Sequence, residues 1–486
     1  MPKTAVIGAG VSGLAAAIHL ARAGHDVVVF EQGSRYGGKM GEIRFDGFRF
    51  DTGPSLFTWP ELMAELLTPP GTEEGKAWEK LDLITRYFWD DGKCVDAHAD
   101  PHTLSLELQD KLGEDPARVR TYLAECETLF RLTKPVFLEK YPMSARAWLS
   151  RETLRALPKL PSLKAWENLH HYNRKFFRNP ATVQLFDRYA TYNGSNPYEA
   201  PATLRVIAHL EHNEGAFFPG GGMYSLATRL YEKACELGVA FRFNHPVKAL
   251  QIHKSKVVSL EAKDQVFPVD HVVSTIDIMQ LSKLLPGKQK RCNERKLERF
   301  SSSALVFFWG MNQPFPELSL HNVFFSNDYQ AEFNAYFNQG RLSDDLTIYL
   351  YISSKRHLND APGGMENWFV MVNAPVNQGQ DWDALAAGAR KVILQRLKKV
   401  LGKDIEPAII VEKYYSPRDL QDKTGASLGA IYGQNSNSIF AAFQRHPNRL
   451  PSVKNLALAG GTVHPGGGIP LCLLSARLAT NLILQK

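Results

Sequence analysis

Apolar and polar positions near the start of the chain alternate in blocks that predict strand, turn, helix and strand. The short run Thr4 to Ile7 suits a strand buried in a parallel sheet. An alanine- and leucine-rich segment to about Ala23 predicts a helix, and a second apolar run, Val27 to Phe30, ends on Glu31. The same rhythm returns later, with a helix over Tyr224 to Leu237, strands at Ala240 to Phe243 and after Pro246, and an apolar run from Val266 to Thr275.

Between these visits the pattern changes. A short helix is expected over Thr58 to Leu67 and a strand over Leu83 to Trp89, and residues 107–210 read as mainly helical with a break at Asn193 to Pro197. From Ser303 to Val376 four aromatic-rich runs predict strands that are apolar on both faces. Such a sheet needs cover on both sides. The amphipathic segment Trp382 to Leu401, ended by Gly402, is one source of it, and a long apolar cavity on the other face is a second reading. The expected fold class is α/β: a parallel-sheet domain from residues 1–95, 215–290 and 410–486, a helical segment over 96–214, and an inserted sheet and helix over 291–409.

Composition excludes several classes. At 486 residues, 44% hydrophobic and 22% charged, the chain is globular, and its formal charge of +7 does not by itself indicate nucleic acid. The five cysteines are odd in number and scattered, which predicts reduced, cytoplasmic surroundings. Met1 to Thr4 leads straight into a strand, so no secretory signal is expected, and no apolar run approaches the ~18 residues of a spanning helix. Met143 to Pro180 mixes Arg146, Arg151, Arg155, Lys159, Lys164, Arg174, Lys175 and Arg178 with leucines, Trp148, Trp166, Phe176 and Phe177. That composition suits either a bilayer interface or an ordinary solvated helical face. Cys94, Asp96, His98, Asp100 and His102 recur at every second position, as metal ligands or as a polar strand edge; no metal is assigned.

The first turn carries the main chemistry. Gly8-Ala9-Gly10-Val11-Ser12-Gly13 is a G-x-G-x-x-G fingerprint between strand and helix, which makes the parallel-sheet domain a Rossmann-type dinucleotide domain. Gly8 permits the tight turn, Gly10 lets backbone approach a pyrophosphate, and Gly13 lets helix and strand pack closely. Glu31, at the end of the second strand, is placed to accept ribose hydroxyls.

From Gly37-Gly38-Lys39 through Phe45 to Pro54 the chain resembles the FAD-dependent amine oxidase and phytoene desaturase superfamily, which favours FAD over NAD. The tail sharpens this. Asn455 to Ala459, Gly460-Gly461, then Thr462-x-x-x-Gly466-x-Gly468-Ile469-Pro470 and a closing helix are similar to the bacterial phytoene desaturases, a family of carotenoid desaturases. Asn196-Pro197, Ala200 to Thr203 and Phe218-Pro219-x-Gly-Gly-Met223 extend the resemblance over nearly the whole chain.

The resemblance implies an FAD site built from Gly8, Gly10, Gly13, Glu31, Gly37, Gly38, Lys39, Gly53, Pro54, Ser55, Val247, Gly460, Gly461, Gly468, Ile469 and Pro470. The helix beginning near Pro470 would point its positive end at the flavin ring. Glu152 and Arg155 fall where the family has an acid and an arginine proposed to lie near the flavin ring, the candidate catalytic pair; the family acid is commonly Asp, and an i,i+3 surface pair is the other reading. The implied partners are a carotenoid and a membrane surface on which the enzyme docks peripherally; oligomeric state is left open. Gly38-Lys39 and the stretch Asp51 to Pro60 look closer to the branch acting on 1′-hydroxylated carotenes at C-3,4, with phytoene or neurosporene desaturation as the alternative. Outside that family, the resemblance also admits a flavin amine oxidase or a flavin-free GDP-dissociation-inhibitor-like protein that binds prenyl lipid.

Overall fold

The computed structural model of the chain describes residues 1–68, 77–141, 164–286 and 300–485. Its dinucleotide layer is a five-stranded, all-parallel sheet in the order Ala240–Arg242, Asp26–Phe30, Lys3–Ile7, His271–Ser274 and Leu456–Leu458. Register aligns the strand ends, with Ile7 opposite both Phe30 and Ser274, and Ser274 opposite Leu458. Strand order reverses direction at Lys3–Ile7, and the carboxyl ends there form the crevice where parallel α/β sheets bind ligands.

Helices cover one face because their apolar stripes are continuous. Val11–Arg22 buries Leu14, Ala15, Ala16, Ala17, Ile18 and Leu20 completely, against Tyr224–Glu236 and the last helix, Ile469–Leu484. An antiparallel hairpin layer, Val247–His253, Lys256–Ala262 and Gln265–Pro268, contributes to the core on the other face. The run expected over Val266 to Thr275 is therefore two strands in two sheets. Pro268, which has no N–H, closes the first, and Asp270 N donates to Lys3 O at 2.8 Å as the second begins. The helix expected from Thr58 begins at Glu61, because Phe57–Thr58 pairs with Ala216 and Phe217.

The second layer is a seven-stranded sheet in the order Ile409–Tyr415, Ser303–Met311, Glu366–Ala374, Ile348–Tyr351, His321–Phe324, Leu83–Phe88 and Cys94–His98. Residues 83–95 and 410–415, grouped above with the dinucleotide segments, and 96–98, grouped with the helical segment, hydrogen-bond into this sheet. Its outer face, with Leu305, Phe307, Trp309, Val370 and Leu350, packs on Trp382–Leu401 through Ala386, Ala389, Ile393 and Leu397. On the inner face one cross-strand row runs Tyr415, Val306, Met371, Tyr349, Val323, Tyr87 and Val95. At about 4.8 Å per strand it is roughly 29 Å long. Val323, Tyr87 and Val95 are buried against the helical lobe through Tyr122, Phe186 and Tyr189, whereas Tyr349, Met371 and Tyr415 are only half-buried.

Candidate functional site

The fingerprint turn is shaped by backbone crowding. Gly8 has φ +99°, and a Cβ on Gly13 would lie 1.9 Å from Gly8 O. No side chain caps the helix that starts at Val11, and its first turn carries no acid, so its positive end is left for an anion. Glu31 sits at the tip of the second strand as expected. Its Oε2 accepts from Ala9 N at 2.7 Å and its Oε1 from Gly33 N at 2.8 Å. A carboxylate has about four acceptor positions, which leaves room for hydroxyl donors as well. Asn244 N donates to Gly33 O at 2.9 Å and His245 N to Glu31 O at 2.8 Å, which brings the strand beginning at Val247 to the same edge.

The second glycine turn folds directly onto the first. Gly37 N donates to Ala9 O at 2.8 Å, and a Cβ on Gly38 would stand 3.1 Å from the Gly10 Cα. Gly53 backs the same loop, with its Cβ position 1.9 Å from Lys39 O. Lys39 is half-buried, and its Nζ donates to Ile431 O at 2.5 Å and Ala430 O at 3.1 Å. Burial lowers the Lys39 pKa, with Asp277 acting in the opposite sense. Ser55, just past Pro54, hydrogen-bonds Tyr349 OH at 2.7 Å. Beneath the loop, the buried Arg49 guanidinium meets Glu42 at 2.6 Å, Asp51 at 2.7 Å and Asp360 at 3.1 Å. Asp51 in turn accepts from Met223 N and Tyr224 N, which anchors the helix Tyr224–Glu236.

The tail turn closes the site from the far end of the sequence. Gly460 has φ +112°, and its Cβ position is 3.0 Å from Thr275 O; a Cβ on Gly461 would be 3.3 Å from Gly467 Cα. Gly468, with φ +103°, faces open space, and the helix that follows at Ile469 and Pro470 has no side-chain cap. Ser12 Oγ donates to Cys472 O at 3.1 Å, tying the first helix to the last. His464 O accepts from Asn448 Nδ2 and Ser475 Oγ, both at 2.8 Å, and burial lowers His464 to about 4.

The structure thus brings Gly8, Gly10, Gly13, Glu31, Gly37, Gly38, Lys39, Gly53 and Val247 to one edge of the sheet, with Gly460, Gly461, Gly468, Ile469 and Pro470 beside them. Crowded glycines that exclude any Cβ, and two helix starts without side-chain caps, fit an extended diphosphate cofactor. Sequence reasoning missed Thr275, whose hydroxyl bonds Ile7 O at 2.9 Å and Gly8 O at 3.2 Å. It also missed Arg445, buried under the tail turn, which donates to Gly461 O at 3.2 Å and Gln434 O at 2.9 Å. Thr275 ends a run noted above and Arg445 precedes the tail motif, but nothing local marks either. Glu152 and Arg155 lie outside the described residues. Among the described residues no group of His, Cys, Asp and Glu could hold a metal ion; Asp96 chelates Arg86 at 2.6 and 2.7 Å, and Asp100 caps Pro101–Leu112.

Comparison with known proteins agrees with this geometry. The family model described as flavin-containing amine oxidoreductase matches residues 11–484. A 1-hydroxycarotenoid 3,4-desaturase from Flavobacterium sp. (strain P99-3) is 41% identical, with 99% of each chain covered. A 4,4′-diapolycopene oxygenase from Methylomonas sp. is 32% identical over 99% of this chain and 98% of its own. Among solved structures, an oxidoreductase from Methanosarcina mazei superposes with TM-score 0.64 at 15% identity, covering all of both chains. With its cofactor cradle and a family match spanning nearly every residue, the chain belongs to the flavin-containing amine oxidoreductase family and is an FAD-dependent enzyme.

Proposed function

We propose that the protein is a carotenoid desaturase that introduces a 3,4 double bond into a 1-hydroxylated carotenoid. The observation that carries this is full-length likeness to a 1-hydroxycarotenoid 3,4-desaturase, joined to an FAD cradle facing a long, largely apolar sheet. Phytoene or neurosporene desaturation is the second reading within the family. Bound in the cradle, FAD supplies the two-electron acceptor that takes hydride from one carbon, while the neighbouring carbon loses a proton.

The chain's own residues bind, orient and shield. Glu31 and the Gly8–Gly13 turn hold the adenosine diphosphate end; Gly460, Gly461 and the start of the last helix favour negative charge at the ring. Lys39 and Ser55 stand on the loop between them. The apolar inner face of the large sheet orients the polyene and excludes water. Glu152, with Arg155, is proposed to receive the proton.

The domains are proposed to follow the sheets: a dinucleotide domain, a helical lobe within 99–214, and a substrate layer that takes in residues 83–98 and 410–415 as well as 291–409. Because the substrate is a lipid, the enzyme is proposed to dock on a membrane in the cytoplasm. Among the described residues no helix is long and apolar enough to cross one. Trp166 is 60% exposed beside exposed Lys164, Arg174, Lys175 and Arg178, which supports an interfacial role; Phe177 instead joins the lobe core.

The test of the function is incubation of the holoenzyme with a panel of carotenoids in liposomes, read by absorbance and mass. Loss of two hydrogens from a 1-hydroxylated carotenoid supports the reading. Oxygen incorporation, or turnover confined to phytoene, defeats it. Docking is tested by co-sedimentation with anionic liposomes, which reversing the charges at Arg174, Lys175 and Arg178 should weaken by several-fold; unchanged sedimentation would defeat the docking surface.

A further inference from the structure

The inner face of the large sheet is apolar along most of its length, but it holds one buried polar relay next to the flavin loop. Tyr349 OH bonds Ser55 Oγ at 2.7 Å and His321 Nδ1 at 2.8 Å. Tyr349 is half-buried at the middle of the cross-strand row, and His321 is fully buried behind it, stacked on Tyr351. Next along that face, Arg188 closes the row. It donates to Tyr87 OH at 2.6 Å and Tyr192 OH at 2.8 Å, and its Nε is buried without an acceptor among the described residues. Buried Glu211 stands 3.6 Å from the same guanidinium and balances its charge. A site for a plain hydrocarbon needs none of these groups, and buried polar atoms are costly unless something bonds them.

We infer that Tyr349, held between Ser55 and His321, reads the substrate's hydroxyl group and makes the enzyme selective for hydroxylated polyenes. This rests on the desaturase reading above. The chemistry of that substrate sets the position of such a reader. C-1 and C-3 are two bonds apart, roughly 2.5 Å at about 1.5 Å per bond. The residue that binds the C-1 hydroxyl must therefore adjoin the cofactor, not the distant end of the channel. Among the inner-face groups, Tyr349 is bonded to the loop that follows Gly53 and Pro54. A tyrosine hydroxyl can donate to one partner and accept from another, so it can bond the incoming hydroxyl while it keeps one of its present partners.

The test compares wild type, Tyr349→Phe and His321→Gln holoenzymes on a matched pair, a 1-hydroxylated polyene and its deoxy counterpart, in liposomes. One neutral hydrogen bond corresponds to about 5- to 10-fold, so the ratio of the two kcat/KM values should fall by about that factor in Tyr349→Phe, mainly through a higher KM for the hydroxylated polyene. His321→Gln, which leaves Tyr349 without its imidazole partner, should lower the ratio by less. An unmoved ratio in Tyr349→Phe, or equal loss on both polyenes, overturns the inference. The reading on which it rests fails differently: wild type would then desaturate neither polyene. Equilibrium binding of the pair, followed by the shift in polyene absorbance, then still decides whether Tyr349 discriminates the hydroxyl.

Discussion

Gly13→Ala is the sharpest probe of the cofactor cradle. Ordinary Cβ contacts begin near 3.4 Å, and the new methyl would lie 1.9 Å from Gly8 O, about 1.5 Å too close. The obstacle is main chain, so no rotamer change relieves it. The helix Val11–Arg22 must move off the strand Lys3–Ile7, along with Leu14 and Ile18, which are wholly buried. A gap of 0.5–1 Å already forfeits about a quarter to a half of each dispersion contact across it. Overpacking costs about 1–3 kcal/mol, and this rigid case belongs at about 3. The same movement carries the Gly10 to Ser12 amides away from the diphosphate, so the Kd for FAD should rise about 100-fold. Flavin content after purification, FAD titration of the apoprotein by fluorescence, and thermal unfolding measure the effect. Gly388→Ala is the control: Gly388 is exposed within Trp382–Leu401 with nothing near its Cβ position, and the variant should gain about 0.5–1 kcal/mol. A Gly13→Ala protein with wild-type FAD affinity and melting temperature would refute the assignment of this turn.

Two further perturbations address stability. Arg49→Met strands Asp51 and Asp360, 1% and 0% exposed, and should cost about 3–5 kcal/mol in urea unfolding, with partial recovery when Asp360→Asn is added; an unchanged midpoint would mean the carboxylates have other partners. His464 is held near 4, and burial also lowers His19 to about 4. Protons therefore bind the unfolded chain first as pH falls from about 6.5 toward 4. The stability these neutral histidines contribute is complete above that window and declines through it by about 1.4 kcal/mol per pH unit for each. His464→Gln should flatten the decline in melts between pH 7.5 and 5, and an equally steep profile would count against His464 as a source.

The sequence was most legible where a pattern is local. The fingerprint strand, its helix, Glu31 and the amphipathic helix Trp382–Leu401 stand where periodicity and glycine spacing place them. Sheet membership was not legible, because Leu83–Phe88 reads as a buried strand in either layer and its partner, His321–Phe324, is more than 200 residues away. Lys39 was marked by its neighbours, but its bond to Ile431 spans 392 positions. Thr275 and Arg445 serve as clips between distant turns, and nothing in their own vicinity announces such a role.

The joining of the first helix to the last has a consequence for biosynthesis. Ser12 meets Cys472, and Leu14, Ala15 and Ile18 share a core with Leu473, Ala476 and Ile483. At about 5–20 residues per second, the ribosome delivers that second half of the core roughly 20 to 90 seconds after the first. Until then the nascent chain exposes an alanine-rich apolar helix and a half-built flavin cradle, so chaperone occupancy and cofactor capture are both deferred until Ile469–Leu484 has emerged. Removing the last two helical turns should yield a chain that is made at full length minus those turns, yet neither retains FAD nor stays in solution.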